Sequence, residues 1–274
     1  MIDIHCHILP DMDDGPASLG EALAMCRAAA ADGIRTIVAA PHFKPGTYEF
    51  TRPAILDGIR DLQAAVNKED LGLTILPGAE VTVSPEMHTH LAPERFLTIN
   101  GGRYFLAEFR AHSVPSQWDI FLLSFLASGM TPIIAHPERN AWFMNHPAAL
   151  SSAVQSGILV QITAASITGG FGEEAQDFSI YLLRQNLVHA IASDSHSADL
   201  RPPLLAEAVS LAAEVVGEER ARALVTSIPR AIIEGREIPA LAPVEPCPPI
   251  RERDRSWFQK LIRLLIRDRA PIVF

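Results

Sequence analysis

Seven short runs rich in β-branched residues recur along the chain, and six of them end at or beside a histidine, an aspartate or a glutamate. The runs are IDIH (2–5), RTIVAA (35–40), LTILPG (73–78), RYFLAEF (103–109), TPIIAH (131–136), ILVQIT (158–163) and VHAIAS (188–193). Helical stretches separate them. In the first, SLGEALAMCRAAAADG, Ser18 and Glu21 form a capping box, Leu19, Leu23 and Cys26 share one face, and Gly33 is the stop. Strands alternating with helices predict a parallel α/β architecture. An open doubly wound sheet is one form of it, but no G-x-G-x-x-G opens any helix. Polar residues at so many strand ends favour a barrel, where such groups gather on the carboxyl-end face. At 274 residues the chain has the length of one α/β-barrel domain.

The chemistry lies in those strand ends. Side chains at i and i+2 of a strand point the same way, so His5 and His7 project together from a run flanked by Ile2, Ile4 and Ile8. Polar pairs on a buried strand are costly, and a metal site compensates that cost. The loop that follows carries Asp11, Asp13 and Asp14. Further strands deliver His42, Glu80, Glu108, His136, Asp194 and His196; Thr163, at the end of the sixth run, adds nothing obvious. One histidine at a strand end is ordinary. Nine groups on one face, counting one of the three aspartates, exceed the four to six ligands of a single transition metal and imply two or three ions. Imidazole and carboxylate without thiolate suit Mn, Fe or Zn. Cys6, between the two histidines, points away and is expected to be a packed thiol.

Several metal ions in one site lower the pKa of water and clamp the oxygens of an in-line displacement, which fits phosphoester hydrolysis. Such a site also needs cations to hold the phosphate. Arg139 follows His136 by three residues and Arg201 follows His196 by five, both in loops on the same face.

Taken together, HCH with DDGP, then APHF, PGAE, LAEF, IIAHPER and ASDSH followed by LRPP resemble the motifs of the PHP (polymerase and histidinol phosphatase) superfamily. More narrowly, they resemble the bacterial protein-tyrosine phosphatases of capsule and exopolysaccharide loci, from Met1 to about Ile233. The resemblance implies a distorted seven-stranded (β/α)7 TIM-like barrel holding two to three divalent ions, commonly manganese. It implies ligands at His5, His7, Asp14, His42, Glu80, Glu108, His136, Asp194 and His196, with Arg139 and Arg201 on the phosphate. The implied substrate is phosphotyrosine, typically on the tail of a membrane-bound tyrosine autokinase. A small-molecule phosphatase of the histidinol-phosphate type, or a non-catalytic module binding phosphoprotein or lipid, are the alternatives.

A net charge of -9 and the lack of a basic, aromatic-interleaved strip argue against a nucleic-acid partner. No signal peptide is visible, and the apolar stretch from Ile120 to Ala135 is broken by Gly129 and Pro132. Cys6, Cys26 and Cys247 form no paired pattern, which suits a cytoplasmic location. Beyond a barrel over residues 1–239, the proline-rich, charged stretch 240–255 reads as a linker and 256–274 as an amphipathic helical tail. On a helical projection Trp257, Phe258, Leu261, Ile262, Leu264, Leu265 and Ile266 fill one arc, opposite Gln259, Lys260, Arg263 and Arg267. Residues 251–269 hold seven Arg or Lys against three Asp or Glu, so peripheral contact with an anionic membrane is one expected use, and packing on the barrel or a partner is the other.

CPPIRER, from Cys247 to Arg253, matches the C-x5-R pattern of cysteine-based tyrosine phosphatases. That chemistry needs a cradle of backbone N–H groups, and Pro248 and Pro249 remove two of them. Cys247→Ser is therefore expected to leave phosphatase activity intact. A serine variant that is folded and metal-loaded yet inactive would overturn the metal assignment.

Overall fold

The computed structural model describes residues 1–84, 98–110, 113–239 and 241. The expected linker, tail and Cys247 motif lie outside the described residues.

Among the described residues, nine strands form two wholly parallel sheets. β1 (Ile2–Cys6), β2 (Thr36–Ala39) and β4 (Thr74–Pro77) make the first. The second runs β3 (His42–Phe43), β5 (Glu80–Thr82), β6 (Tyr104–Glu108), β7 (Thr131–Ala135), β8 (Leu159–Thr163) and β9 (Ala190–Ala192). All seven expected runs are strands. The single closed seven-stranded ladder is not what the pairing shows, because the second and third runs each break and restart one sheet over. Pro41 has no N–H to continue a ladder. Beside it, a Cβ on Gly78 would stand 2.6 Å from Val38 Cγ1, so the chain there must be glycine. The two breaks lie side by side, since Ala39 pairs with Pro77 before them and His42 with Glu80 after them.

Strands of both sheets surround one apolar centre, to which Ile2, Ile4, Val38, Leu106, Ile133, Leu159 and Ala190 contribute. Their other faces pack under the helices, with Ile37, Ile75, Phe105, Ile134, Val160 and Ile191 in the larger cluster. The sheets meet where β1 follows β9: Asp194 N–H donates to His5 O at 2.8 Å and His7 N–H to Ser195 O at 2.9 Å.

Ten α-helices are described: α1 (Leu19–Ala31), α2 (Arg52–Lys68), α3 (Trp118–Ala127), α4 (Ala141–Asn145), α5 (Pro147–Gln155), α6 (Ala164–Ile167), α7 (Glu173–Arg184), α8 (Ala206–Val216), α9 (Glu218–Ala223) and α10 (Ser227–Ile233). α1 has its capping box, with Ser18 Oγ accepting from Glu21 N–H and Glu21 Oε2 accepting from Ala17 N–H. Gly33 follows its end at φ 91°. Its buried stripe differs from the expected one. Ala22, Met25, Cys26 and Ala29 face the sheet, while Leu19 is 44% exposed. The small residues Ala22, Cys26 and Ala29, at i, i+4 and i+7, bring the helix axis close to the strands, and that rotation turns Leu19 outward. Cys6 and Cys26 are free thiols buried in this layer, as packing thiols should be; burial pushes Cys26 up to about 12. Among the described residues no helix is long and apolar enough to cross a membrane.

Candidate metal centre

Because every strand is parallel, every strand delivers its carboxyl end to the same face. Four groups of ligand-type side chains gather there, the ligand atoms of each group within 4.8 Å of one another. They are His7, Asp14, His42 and His196; His5, His7 and Glu80; His5, His136 and Asp194; and His42, Glu80 and Glu108. All nine residues expected as ligands fall in these groups, and His5, His7, His42 and Glu80 each belong to two of them. The paired breaks account for part of this convergence, since His42 and Glu80 are adjacent residues of the β3–β5 ladder. His136 and Asp194 each follow a strand in the left-handed region, at φ 33° and 49°, which turns both side chains back over the strand ends. Such backbone strain in non-glycine residues persists where the surrounding structure over-determines it.

The proton inventory points to cations. His5 Nδ1 faces Gln161 Oε1 at 2.9 Å, an oxygen that can only accept, so Nδ1 carries the hydrogen. His7 Nδ1 likewise faces Asp13 Oδ2 at 2.7 Å. The two Nε2 atoms then face each other across 3.2 Å. Glu80 Oε1 and Asp194 Oδ1 lie 3.4 and 3.6 Å from His5 Nε2. His42 Nδ1 and Glu80 Oε2 are buried 2.9 Å apart, and among the described residues neither makes a hydrogen bond. Imidazole nitrogens and carboxylate oxygens crowded at these distances fit a shared cation, and the donor set suits borderline transition metals.

The carboxylates are kept charged. Burial alone pushes Glu80 up, but His5 and His136 beside it hold it well below the usual carboxylate range. Burial acts the same way on Asp194 and is overcome by His5, His7, His136 and Arg139. Asp14, exposed at the rim, is lowered by its hydrogen bond from His196 against a smaller desolvation effect.

Asp194 also joins the two arginines to the cluster. Arg139 Nη1 donates to its Oδ2, and Arg201 Nη2 donates to the same oxygen at 2.8 Å and to the Asp194 carbonyl at 2.7 Å. Their side chains remain 28% and 30% exposed, so each guanidinium keeps donors at the mouth of the site.

The sequence reading assigns no role to four contributors. Asp13 orients His7 and also accepts from the backbone N–H groups of His42 and Gly15, at 2.9 and 3.0 Å. Its signal, three aspartates in one loop, was visible but could not be divided between ligand and support; Asp11 is exposed and joins none of the four groups. Gln161 stands on the sixth run, two residues before the Thr163 that seemed to contribute nothing. Asp3, fully buried, accepts from Ser193 Oγ at 2.5 Å and from the N–H groups of His5 and Ser193, tying β1 to the turn that carries Asp194. Phe171 packs against both arginines.

A parallel α/β scaffold that gathers overlapping imidazole–carboxylate groups at its strand ends, edged by two guanidinium groups, defines the class. The family described as "Capsular polysaccharide synthesis, CpsB/CapC" matches residues 1–234, and the chain belongs to that family. It is 38% identical over 219 residues to the tyrosine-protein phosphatase YwqE of Bacillus subtilis, covering 80% of this chain and 86% of that one. To the tyrosine-protein phosphatase CpsB of Streptococcus pneumoniae it is 33% identical over 238 residues, 85% and 98% of the two chains. A solved structure from work on YwqE and CpsB, described as unique metal-dependent tyrosine phosphatases, superposes with a TM-score of 0.84 at 35% identity, covering 90% of this chain and all of the other. A lactonase from Listeria monocytogenes, at 13% identity and a TM-score of 0.51, shares the fold alone, over 86% of this chain and 95% of its own.

Hydrogen bonds to metal-bound imidazoles typically contribute tenfold to hundredfold in metal affinity. Gln161→Leu and Asp13→Asn are each expected to weaken metal retention by about that factor in a chelator competition, while His5→Ala loses metal and activity together. Wild-type retention in both of the first two variants would show that these contacts do not orient ligands.

Proposed function

We propose that this chain is a metal-dependent protein-tyrosine phosphatase of capsular polysaccharide synthesis. The observation that carries the reading is the union of two features at Asp194: one carboxylate oxygen faces the imidazoles, and the other holds two arginines at the mouth. Family membership and the phosphatase relatives agree with it.

His5, His7, Asp14, His42, Glu80, Glu108, His136, Asp194 and His196 would hold two to three divalent ions, with Mn favoured and Fe or Zn as alternatives. When bound, such ions lower the pKa of water from ~15.7 to about 7 and neutralise phosphate oxygens. The protein's own part is positioning. Asp13 and Gln161 fix the imidazole tautomers, so the ligand lone pairs are aimed before substrate arrives. Arg139 and Arg201 donate to the phosphate oxygens and balance the charge that gathers on them in the transition state. Tyrosine's pKa near 10 makes phenolate a tolerable leaving group without a strong general acid. The substrate is assigned as phosphotyrosine on a protein, on the tail of a membrane-bound tyrosine autokinase, with the enzyme in the cytoplasm.

The test is a comparison of phosphotyrosine peptide, histidinol phosphate and a nucleotide ester as substrates, with and without chelator. The peptide should be preferred, chelation should abolish turnover, and Mn should restore it. Preference for histidinol phosphate would move the chain to the small-molecule phosphatases; a metal-loaded protein inert on all three would be a binding module. Arg139→Ala and Arg201→Ala should each lower turnover by roughly 10²-fold, as loss of one preorganised charge contact does. Metal content should stay near wild type. An arginine variant that loses its metals would make that side chain structural instead.

The basic, amphipathic stretch 256–267, tethered through residues 240–255, is proposed to bind the anionic membrane surface, where each Lys or Arg contributes ~1 kcal/mol. Residence there raises the local concentration of enzyme beside a membrane-bound substrate. Deleting residues 250–274 should abolish sedimentation with anionic vesicles and leave turnover on a soluble phosphopeptide unchanged. A truncated protein that aggregates would place the segment within the fold.

A further inference from the structure

β8 gives no residue to the four ligand groups, yet the loop after it reaches the same face and carries Phe171 in TGGFG (168–172). Arg139 Cζ lies 4.3 Å and Arg201 Cζ 5.4 Å from the centroid of its ring. Both guanidinium groups also grip Asp194 Oδ2. Two cations that share one oxygen cannot stand on opposite faces of a ring. They crowd the same side.

The backbone on either side of that ring is closely braced. Gly169 and Gly172 both take φ 90°, where a side chain would be strained. Gly170 N–H donates to Ala165 O at 2.7 Å, Gly172 N–H donates to Gly169 O at 3.0 Å, and Gln176 Nε2 donates to Ile167 O at 2.8 Å. A Cβ on Gly170 would come within 3.2 Å of Ala165 O, so the turn is also closely packed.

Paired guanidinium groups repel, and one carboxylate that also faces several imidazoles is a poor sole counterweight. The negative face of an aromatic ring attracts cations and, unlike a second carboxylate, uses up none of their N–H donors. We propose that Phe171 is a positioning residue whose ring face holds Arg139 and Arg201 together beside Asp194, so that they meet a phosphate group as one preorganised pair. The proposal rests on the reading of both arginines as phosphate-binding.

The experiment compares Phe171→Leu, which keeps apolar bulk, with Phe171→Tyr, which keeps the ring face. Phe171→Met is a second non-aromatic replacement should leucine not be accommodated. Inhibition by inorganic phosphate and the KM for a phosphotyrosine peptide are measured beside kcat, metal content and thermal melting. The leucine or methionine variant should bind phosphate and peptide about threefold to thirtyfold more weakly, the equivalent of one cation–π contact. Its kcat should change less, its metal content should match wild type, and tyrosine should restore binding. On an Arg139→Ala, Arg201→Ala background the same replacement should change phosphate inhibition less than twofold. Phosphate binding unaffected by leucine, a tyrosine variant as weak as leucine, or an undiminished loss without the arginines would each overturn the proposal. If the double arginine variant binds phosphate as tightly as wild type, the phosphate reading fails and this one with it. Weak arginine variants beside a normal leucine variant sink the role of Phe171 alone.

Discussion

Glu80 and Asp194 are carboxylates with almost no exposed surface, and their ionisation is the condition on which the whole active face rests. A buried carboxyl left to itself takes up a proton. Here the compensation comes from imidazoles that arrive from three other strand ends, β1, β3 and β7, and from two arginines, so no single segment can supply it. The arrangement is mutually dependent. The histidines are buried at low cost because carboxylates face them, and the carboxylates stay charged because histidines and guanidinium groups do. A lone substitution therefore leaves an uncompensated charge or lone pair behind, which is more damaging than losing a contact.

The convergence of nine candidate ligands was legible in the sequence because strand ends of a parallel fold meet on one face by topology. Supporting residues were harder to see. Gln161 lies within an apolar strand, where an amide reads as an exception until the ring it orients is known. Asp13 and Asp14 differ only in which way a tight loop turns them: one under His7, the other toward His42 and His196. Phe171 gives no signal at all, since an aromatic between glycines has many uses. The stripe of α1 failed for a related reason. Hydrophobicity ranked leucine above alanine, whereas packing distance selected alanine.

The split of the second and third strand runs belongs to the site as much as to the fold. An unbroken ladder would carry His42 and Glu80 onward with the strands of the first sheet. Breaking at Pro41 and Gly78 lets both runs step sideways together, so that two ligand-bearing residues enter the second sheet already in register. The cost is a short ladder, and the gain is a carboxylate whose two oxygens serve different groups.

The join between β1 and the turn after β9 bears on how the molecule comes into being. Asp3 and Ser193 are 190 residues apart, and their hydrogen bonds tie the first strand to the residue that anchors both arginines. Contacts of such separation are the slowest to form, because the intervening chain must be ordered first. A nascent chain can bury much of its core against β1 and β2 while its site is still open, and the face becomes complete only after Arg201 has been made and the last strand has docked. Turnover is thus an all-or-none report on finished folding: a chain cut short or arrested before that point is silent, not merely slow.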